Sequence, residues 1–323
     1  MKAILKSVSR SFYLTIKFLP RPLREPISLA YLLARATDTI ADTTEIRAET
    51  RLRELESLAS AIQGSPAADV RALQDSFAPL QTNRAERTLI ESLPECFHIL
   101  EALTVDDRCD IREALAKINR AQVIDVERFG SGNGVRALPT ADELNRYTYL
   151  IAGCVGEFWT KICDRHVAGF AELPMQNMLE LGRRYGEGLQ LVNILRDAGG
   201  DLRAGRCYFP NDELAGVGIV PNQILEQART FMPIFRKWLA QAEHGLKAGM
   251  EYSLAVRPRR VRGATVLPAL IGARTIVLLR AAGEAILEEK VKVPRKEVQR
   301  IVRKVGLTLA SKNTLRRMFE ETM

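Results

Sequence analysis

The chain has 323 residues, 46% hydrophobic, 27% charged and 6% aromatic, with five cysteines, three histidines and a net charge of +8. This length and apolar content supply a sizeable core and exclude disorder, and the lack of a Pro/Gly/Ser-rich linker or fixed-period repeat favours one domain over residues 1–323. The odd cysteine count without a CxxC pair reads as reduced thiols in a cytoplasmic protein, and three scattered histidines exclude an obvious zinc site.

Helix formers dominate and alternating Val/Ile/Thr runs are scarce, so the expected class is all-α. The N-terminus lacks an apolar core and cleavage site, so it is not read as a signal peptide. No run of 18 uncharged apolar residues occurs: the longest candidate, Ala264 to Leu279, is interrupted by Arg274, and no transmembrane anchor is expected. The basic excess gathers late, at Arg257–Arg262 and Lys290–Lys304, with no nucleic-acid motif beside it. Expected partners are therefore an anionic membrane surface and an acidic substrate, with no nucleic acid. The expected location is the cytoplasm, with peripheral contact at the inner face of the membrane.

Residues 1 to 18 read as a helix or extended arm, broken by Pro20, Pro22 and Pro26; a helix follows from about Ile27 to Thr39. It carries Tyr31, Arg35 and Asp38, and Asp42 continues their helical spacing, i+4 from Asp38, on the same face. Thr43 to Ala61 is an amphipathic scaffold helix, and 67 to 105 hold one or two more. Asp106 to Phe129 is a longer helix. The glycine-rich Gly130–Gly134 lacks the Gly-Lys-Ser/Thr ending and a preceding strand, so it is a loop and not a phosphate cradle. Thr140 with Glu143 at N3 caps the next helix. That helix bears Tyr147 and Tyr149, then small residues at Ala152, Gly153 and Gly156 that admit a close neighbour.

Met175 to Asp201 is a second helix with acids on one face. Asn193, Asp197 and Asp201 recur at i, i+4 and i+8, and Gln190 lies one turn before. The Gly199-Gly200 pair is expected to loosen the helix just before Asp201. Amphipathic helices from Pro221 to Tyr252 and Thr265 to Lys290 follow.

Either acid cluster alone reads as a solvated helix end of mixed charge. Two of them, each with arginines close by in sequence (Arg35; Arg196, Arg203 and Arg206), suggest helices facing across a cavity. Carboxylates and an amide offer only hard oxygens, which suits Mg²⁺, a metal that takes one or two carboxylates and completes its shell from water and phosphate. The guest that fits this chemistry is a diphosphate.

In four ordered blocks the chain resembles the squalene and phytoene synthases. They are Ser9-Arg-Ser-Phe12, Arg35-Ala-Thr-Asp-Thr-Ile-Ala-Asp42, Tyr147 to Gly156, and Asn193 to Asp201 with Gly205-Arg206. The resemblance implies a single-domain isoprenoid-synthase-type helical bundle around a central cavity. It implies head-to-head condensation of two farnesyl diphosphates through presqualene diphosphate, with NADPH-dependent reduction to squalene. Dehydrosqualene, phytoene or presqualene diphosphate as the end product is the alternative.

It also implies roles. Metal ligands are Asp38, Asp42, Asn193, Asp197 and Asp201, with Asp38 and Asp197 also in the catalytic set. Tyr147 handles a proton or charge near the leaving diphosphate, and Tyr149 shares that work. Ser9, Arg10, Phe12, Tyr31, Arg35, Gln190, Asn193, Arg196 and Arg206 bind substrate. For NADPH, the squalene branch uses a late Val-Lys-Ile-Arg-type segment; here Val291-Lys-Val-Pro-Arg295 offers Lys292, with Pro294 at the arginine position and Arg295 as its substitute.

Overall fold

Strong helix formers with apolar residues at 3.6-residue spacing produce helices along almost the whole chain, as expected from composition. The computed structural model describes residues 2–8, 16, 18–65, 70–130 and 134–323. Two compact units emerge, Met1–Ser131 with Lys161–Val167, and Gly132–Thr160 with Ala168–Met323.

The first unit contains α1 (Lys2–Val8), α2 (Arg21–Asp42), α3 (Ala48–Ile62), α4 (Val70–Phe77), α5 (Arg84–Glu91), α6 (Leu93–Ala102) and α7 (Val105–Phe129). Helix α2 is its axis. Leu23, Ile27, Leu29, Leu33, Ala36 and Ile40 are buried, while Tyr31, Arg35 and Asp38 stay half-buried along one stripe. The expectation of a start at Ile27 is corrected, because α2 begins at Arg21. Pro22 falls in the first turn, where its missing N–H has no helical partner to lose, and Pro26 forfeits only one bond near that end. Helix α7 packs on α2 and α3. Its buried acids are paired: Arg165 reaches Asp107 at 2.7 Å and Asp110 at 2.5 Å, and His166 reaches Asp107 at 2.8 Å.

The second unit holds α8 (Ala141–Thr148), a π-helical turn (Tyr149–Gly153), α9 (Cys154–His166, whose first residues belong here), α10 (Met175–Arg203), α11 (Asn211–Gly216), α12 (Ala228–Ala255), α13 (Arg259–Ala282), α14 (Arg295–Thr308) and α15 (Lys312–Glu320). Thr140 caps α8 as its sequence implies, its side chain accepting from the Glu143 N–H at 3.3 Å. Two short parallel strands, β1 (Arg136–Leu138) and β2 (Arg206–Pro210), pair Arg136 with Arg206 and Ala137 with Cys207.

Helix α10 is central here, and glycines let its neighbours touch its backbone. A Cβ at Gly156 would lie 1.9 Å from the Gly182 carbonyl oxygen, and one at Gly186 would lie 2.0 Å from that of Ala152. The small residues of the Tyr147–Gly156 block therefore do admit a close helix. Gly188 meets Gly245 of α12 in the same way. The Tyr185 hydroxyl donates to the Thr265 carbonyl at 2.7 Å, tying α10 to α13.

Helix α10 runs unbroken through Gly199 and Gly200, contrary to the expected loosening. Tertiary packing overrides propensity: a Cβ at Gly199 would sit 2.2 Å from the Leu287 carbonyl oxygen. Arg203 reinforces the contact by donating to the carbonyls of Gly199 at 2.9 Å and Leu287 at 2.7 Å. The stretch Arg259–Leu287 is long and apolar enough, by length and composition, to cross a membrane; 44% of its most apolar window is buried inside the protein.

Candidate active site

In the first unit, one face of α2 brings Tyr31, Arg35, Asp38 and Asp42 together at i, i+4, i+7 and i+11. Arg35 lies 3.9 Å from Asp38 and also pairs closely with Glu86 of α5, a residue the sequence reading had not singled out. Asp38 receives a hydrogen bond from the side-chain amide of Gln122 on α7. Burial pushes the Asp38 carboxyl up to about 6; Gln122 and Arg35 oppose the shift and the Asp42 charge adds to it. Its side chain keeps 42% of its surface exposed, so one side remains open to a ligand.

In the second unit, Gln190, Asn193, Asp197 and Asp201 of α10 line a cavity of about 480 Å³. Arg196, Arg203 and Arg206 line it too, with Tyr208, Ile286, Glu288, Glu289 and Lys290. Asn193 donates weakly to the Gln190 side-chain oxygen at 3.4 Å. Arg196 and Lys290 each approach Asp197 at 2.5 Å, on different oxygens, and Arg206 donates to Asp201 at 2.8 Å. Burial acts to raise the Asp197 pKa, but the combined Arg196 and Lys290 contacts outweigh it and hold the group below its ordinary value. At Asp201 burial wins over Arg206, and the pKa is raised.

The two tyrosines have different surroundings. Tyr147 is buried and stacks on Tyr208, a wall of the cavity, with ring centroids 5.0 Å apart. Tyr149 opens the π-helical turn and donates its hydroxyl to Glu157 at 3.2 Å; such turns recur at functional sites. Ser9, Arg10 and Phe12 lie outside the described residues. Lys292 and Arg295 are exposed, and neither lines the cavity. The lysine that does is Lys290, which the sequence reading placed only in the basic Lys290–Lys304 run. Its position depends on the anchoring of Leu287 against Gly199, a contact with no local signal in the sequence.

Each acid pair offers hard oxygen ligands. Among the described residues no three Asp, Glu, His or Cys side chains converge into a ready-made metal cage. That donor set fits Mg²⁺, which keeps waters and takes substrate phosphate oxygens beside one or two carboxylates. A further sign is a buried acceptor beside Asp38: the Gln122 side-chain oxygen has no hydrogen-bond partner among the described residues. Asp38 and Asp42, and Asp197 and Asp201 with Asn193, are the residues that would hold it.

The sequence matches the squalene/phytoene synthase family profile over residues 5–297. A bifunctional lycopene cyclase/phytoene synthase of Arthroderma gypseum is 25% identical over 293 residues, covering 90% of this chain and 46% of that protein. A presqualene diphosphate synthase of Rhodopseudomonas palustris is 29% identical over 217 residues, covering 66% of this chain and 62% of that one. The chain thus spans less than two thirds of the length of these relatives. Among solved structures, TcSQS in complex with the ligand E5700 superposes with a TM-score of 0.77 at 20% identity, over 100% of this chain and 90% of that one, and so shares its helical fold. With its ordered motifs, acid-bearing helices and near full-length profile match, the chain belongs to the squalene/phytoene synthase family.

Proposed function

We propose that the protein condenses two farnesyl diphosphates head to head to presqualene diphosphate and, with NADPH, carries the product on to squalene. The observation that carries this reading is the cavity at Asn193, Asp197 and Asp201, where acids and arginines share one wall. Mg²⁺, when bound, would supply Lewis-acid stabilisation of the departing diphosphate. Arg196 and Arg206 can turn from the aspartates to the diphosphate oxygens, adding fixed positive charge where negative charge develops. Tyr147, held by Tyr208 at the cavity wall, is the hydroxyl assigned to donate to the departing oxygen. Asp38 and Asp42, with Arg35 beside them, are assigned a second metal–diphosphate contact.

The reductive step rests on the late Val291-Lys-Val segment alone. Lys292 and Arg295 are exposed, do not line the cavity and build no nicotinamide cradle. The same observation, with the likeness to a presqualene diphosphate synthase, favours a second reading in which the reaction stops before reduction. The exposed Arg295, Lys296, Arg300, Arg303 and Lys304 on α14 support a cytoplasmic protein that touches the anionic inner face of the membrane.

The test is incubation with farnesyl diphosphate and Mg²⁺, with and without NADPH, followed by mass analysis of the extracted lipid. Squalene only with NADPH supports the first reading; presqualene diphosphate in both reactions supports the second. A C30 hydrocarbon identical in both indicates a dehydrosqualene synthase. Turnover of geranylgeranyl diphosphate alone moves the protein to the phytoene branch, and no turnover of either substrate overturns the proposal.

A further inference from the structure

Helix α7 contributes two polar side chains to the first unit that the proposed chemistry leaves unused. Gln122 is 3% exposed and Asn119 is 9% exposed, and at i, i+3 they share one face of the helix. Both carry a buried side-chain carbonyl oxygen with no hydrogen-bond partner among the described residues. Buried polar atoms are almost always satisfied, so two orphans one turn apart point to a missing donor. Leu or Met at these positions would continue the apolar face at no such penalty.

Asp38 fixes the orientation of Gln122. The amide nitrogen donates to Asp38; the flipped amide would set an oxygen against a carboxylate, which is repulsive. The orphan oxygen shares its carbon with that nitrogen and so lies beside Asp38. A donor there must bring a hydrogen atom toward a neutral carbonyl while tolerating the carboxylate of Asp38 and, one helical turn on, that of Asp42. The waters that a hydrated divalent cation keeps do both.

We propose that Gln122 and Asn119 form a further wall of the cation site at Asp38 and Asp42. Their carbonyl oxygens accept hydrogen bonds from the water ligands of a bound Mg²⁺, and the Gln122 amide holds Asp38 in its ligating orientation. Both are positioning residues, acting through water and through Asp38. The inference rests on the reading that this acid pair holds a metal. Partners of this kind typically change metal affinity 10–100-fold when removed.

The experiment uses the full chain carrying Asp197→Asn and Asp201→Asn, so that the first acid pair dominates, with inorganic pyrophosphate present. Mn²⁺ binding is followed by electron paramagnetic resonance, and thermal melting is recorded without metal. Gln122→Met is expected to weaken Mn²⁺ binding about tenfold or more, and Asn119→Leu roughly threefold or more. Asn119→Leu is expected to melt no lower than its parent, because an unpaired buried amide is exchanged for an apolar side chain of similar size. Unchanged Mn²⁺ affinity in both variants, with lowered melting, would mean that these amides serve the fold or a resident water only, and overturns the inference. A parent that binds no Mn²⁺ overturns the metal reading itself and the inference with it. A parent that binds and variants that match it defeat the inference alone.

Discussion

The ammonium of Lys290 lies 2.5 Å from one carboxylate oxygen of Asp197, while Arg196 takes the other. Lys290 is carried there by Leu287, whose carbonyl is pinned by Arg203 and pressed against Gly199. The cavity wall thus balances four acids (Asp197, Asp201, Glu288, Glu289) against four bases (Arg196, Arg203, Arg206, Lys290). Lys290→Met removes one of the two contacts that hold the Asp197 pKa down, so that pKa is expected to rise toward its ordinary value. Carbon-detected NMR titration of the aspartate carboxyls checks this, and an unmoved Asp197 would show that Arg196 alone sets it.

Asp38→Asn and Asp197→Asn each remove a proposed metal ligand with almost no change of volume. Diphosphate release from farnesyl diphosphate is expected to fall by at least about 10³ in each, the scale of lost electrostatic stabilisation at such a site, with far-UV circular dichroism unchanged. Turnover near the parent level in either folded variant would remove that pair from the mechanism.

Tyr147→Phe keeps the ring against Tyr208 and loses only the hydroxyl. A loss of about 10²–10⁴ in rate is expected, the scale of a general acid or base. Tyr149→Phe loses its bond to Glu157 and is expected to lose roughly tenfold or less. Reversal of that order, measured by single-turnover kinetics, would move the catalytic role to Tyr149.

Gly199→Ala and Gly200→Ala are expected to differ in sign. A Cβ at Gly199 collides with the Leu287 carbonyl, and overpacking of this kind costs about 1–3 kcal/mol. Gly200 has nothing within 4 Å of its Cβ position, so alanine there gains about 0.5–1 kcal/mol from helix propensity and a less flexible unfolded chain. Urea unfolding of the two variants distinguishes them, and equal effects would contradict the packing account.

Asp38 sets a pH dependence whose sign follows from its raised pKa. An acid that titrates at 3.8 unfolded and at about 6 folded binds more protons in the folded state across that window. Its contribution to stability is therefore full below 3.8 and is lost as pH rises through about 6. Solvent at its open side screens part of the effect. Asp38→Asn is expected to flatten this slope and to stabilise the metal-free protein above pH 6. Parallel stability–pH curves for variant and parent would contradict the assignment.

Much of the fold was legible along the chain, because helix identity is encoded by spacing. The acids at Asp38/Asp42 and Asp197/Asp201, the cap at Thr140 and the small residues at Ala152, Gly153 and Gly156 all lie at fixed local offsets, and the structure sets each acid pair on one helix, caps α8 with Thr140 and brings a neighbouring helix against the small residues. Tertiary structure alone decided what depends on distant partners. Gly199 and Gly200 read identically in sequence, yet only Gly199 faces another backbone, so packing rather than propensity carries α10 through to Arg203. Lys290 and Lys292 are both exposed, yet only Lys290 lines the cavity and reaches Asp197, because the chain after Leu287 passes beside that wall. Gln122 and Asn119 carry no local signal in the sequence; the fold buries both and sets Gln122 against Asp38: burial turns a neutral amide into a group that needs a partner, and burial is a property of the assembled helices, not of the residue.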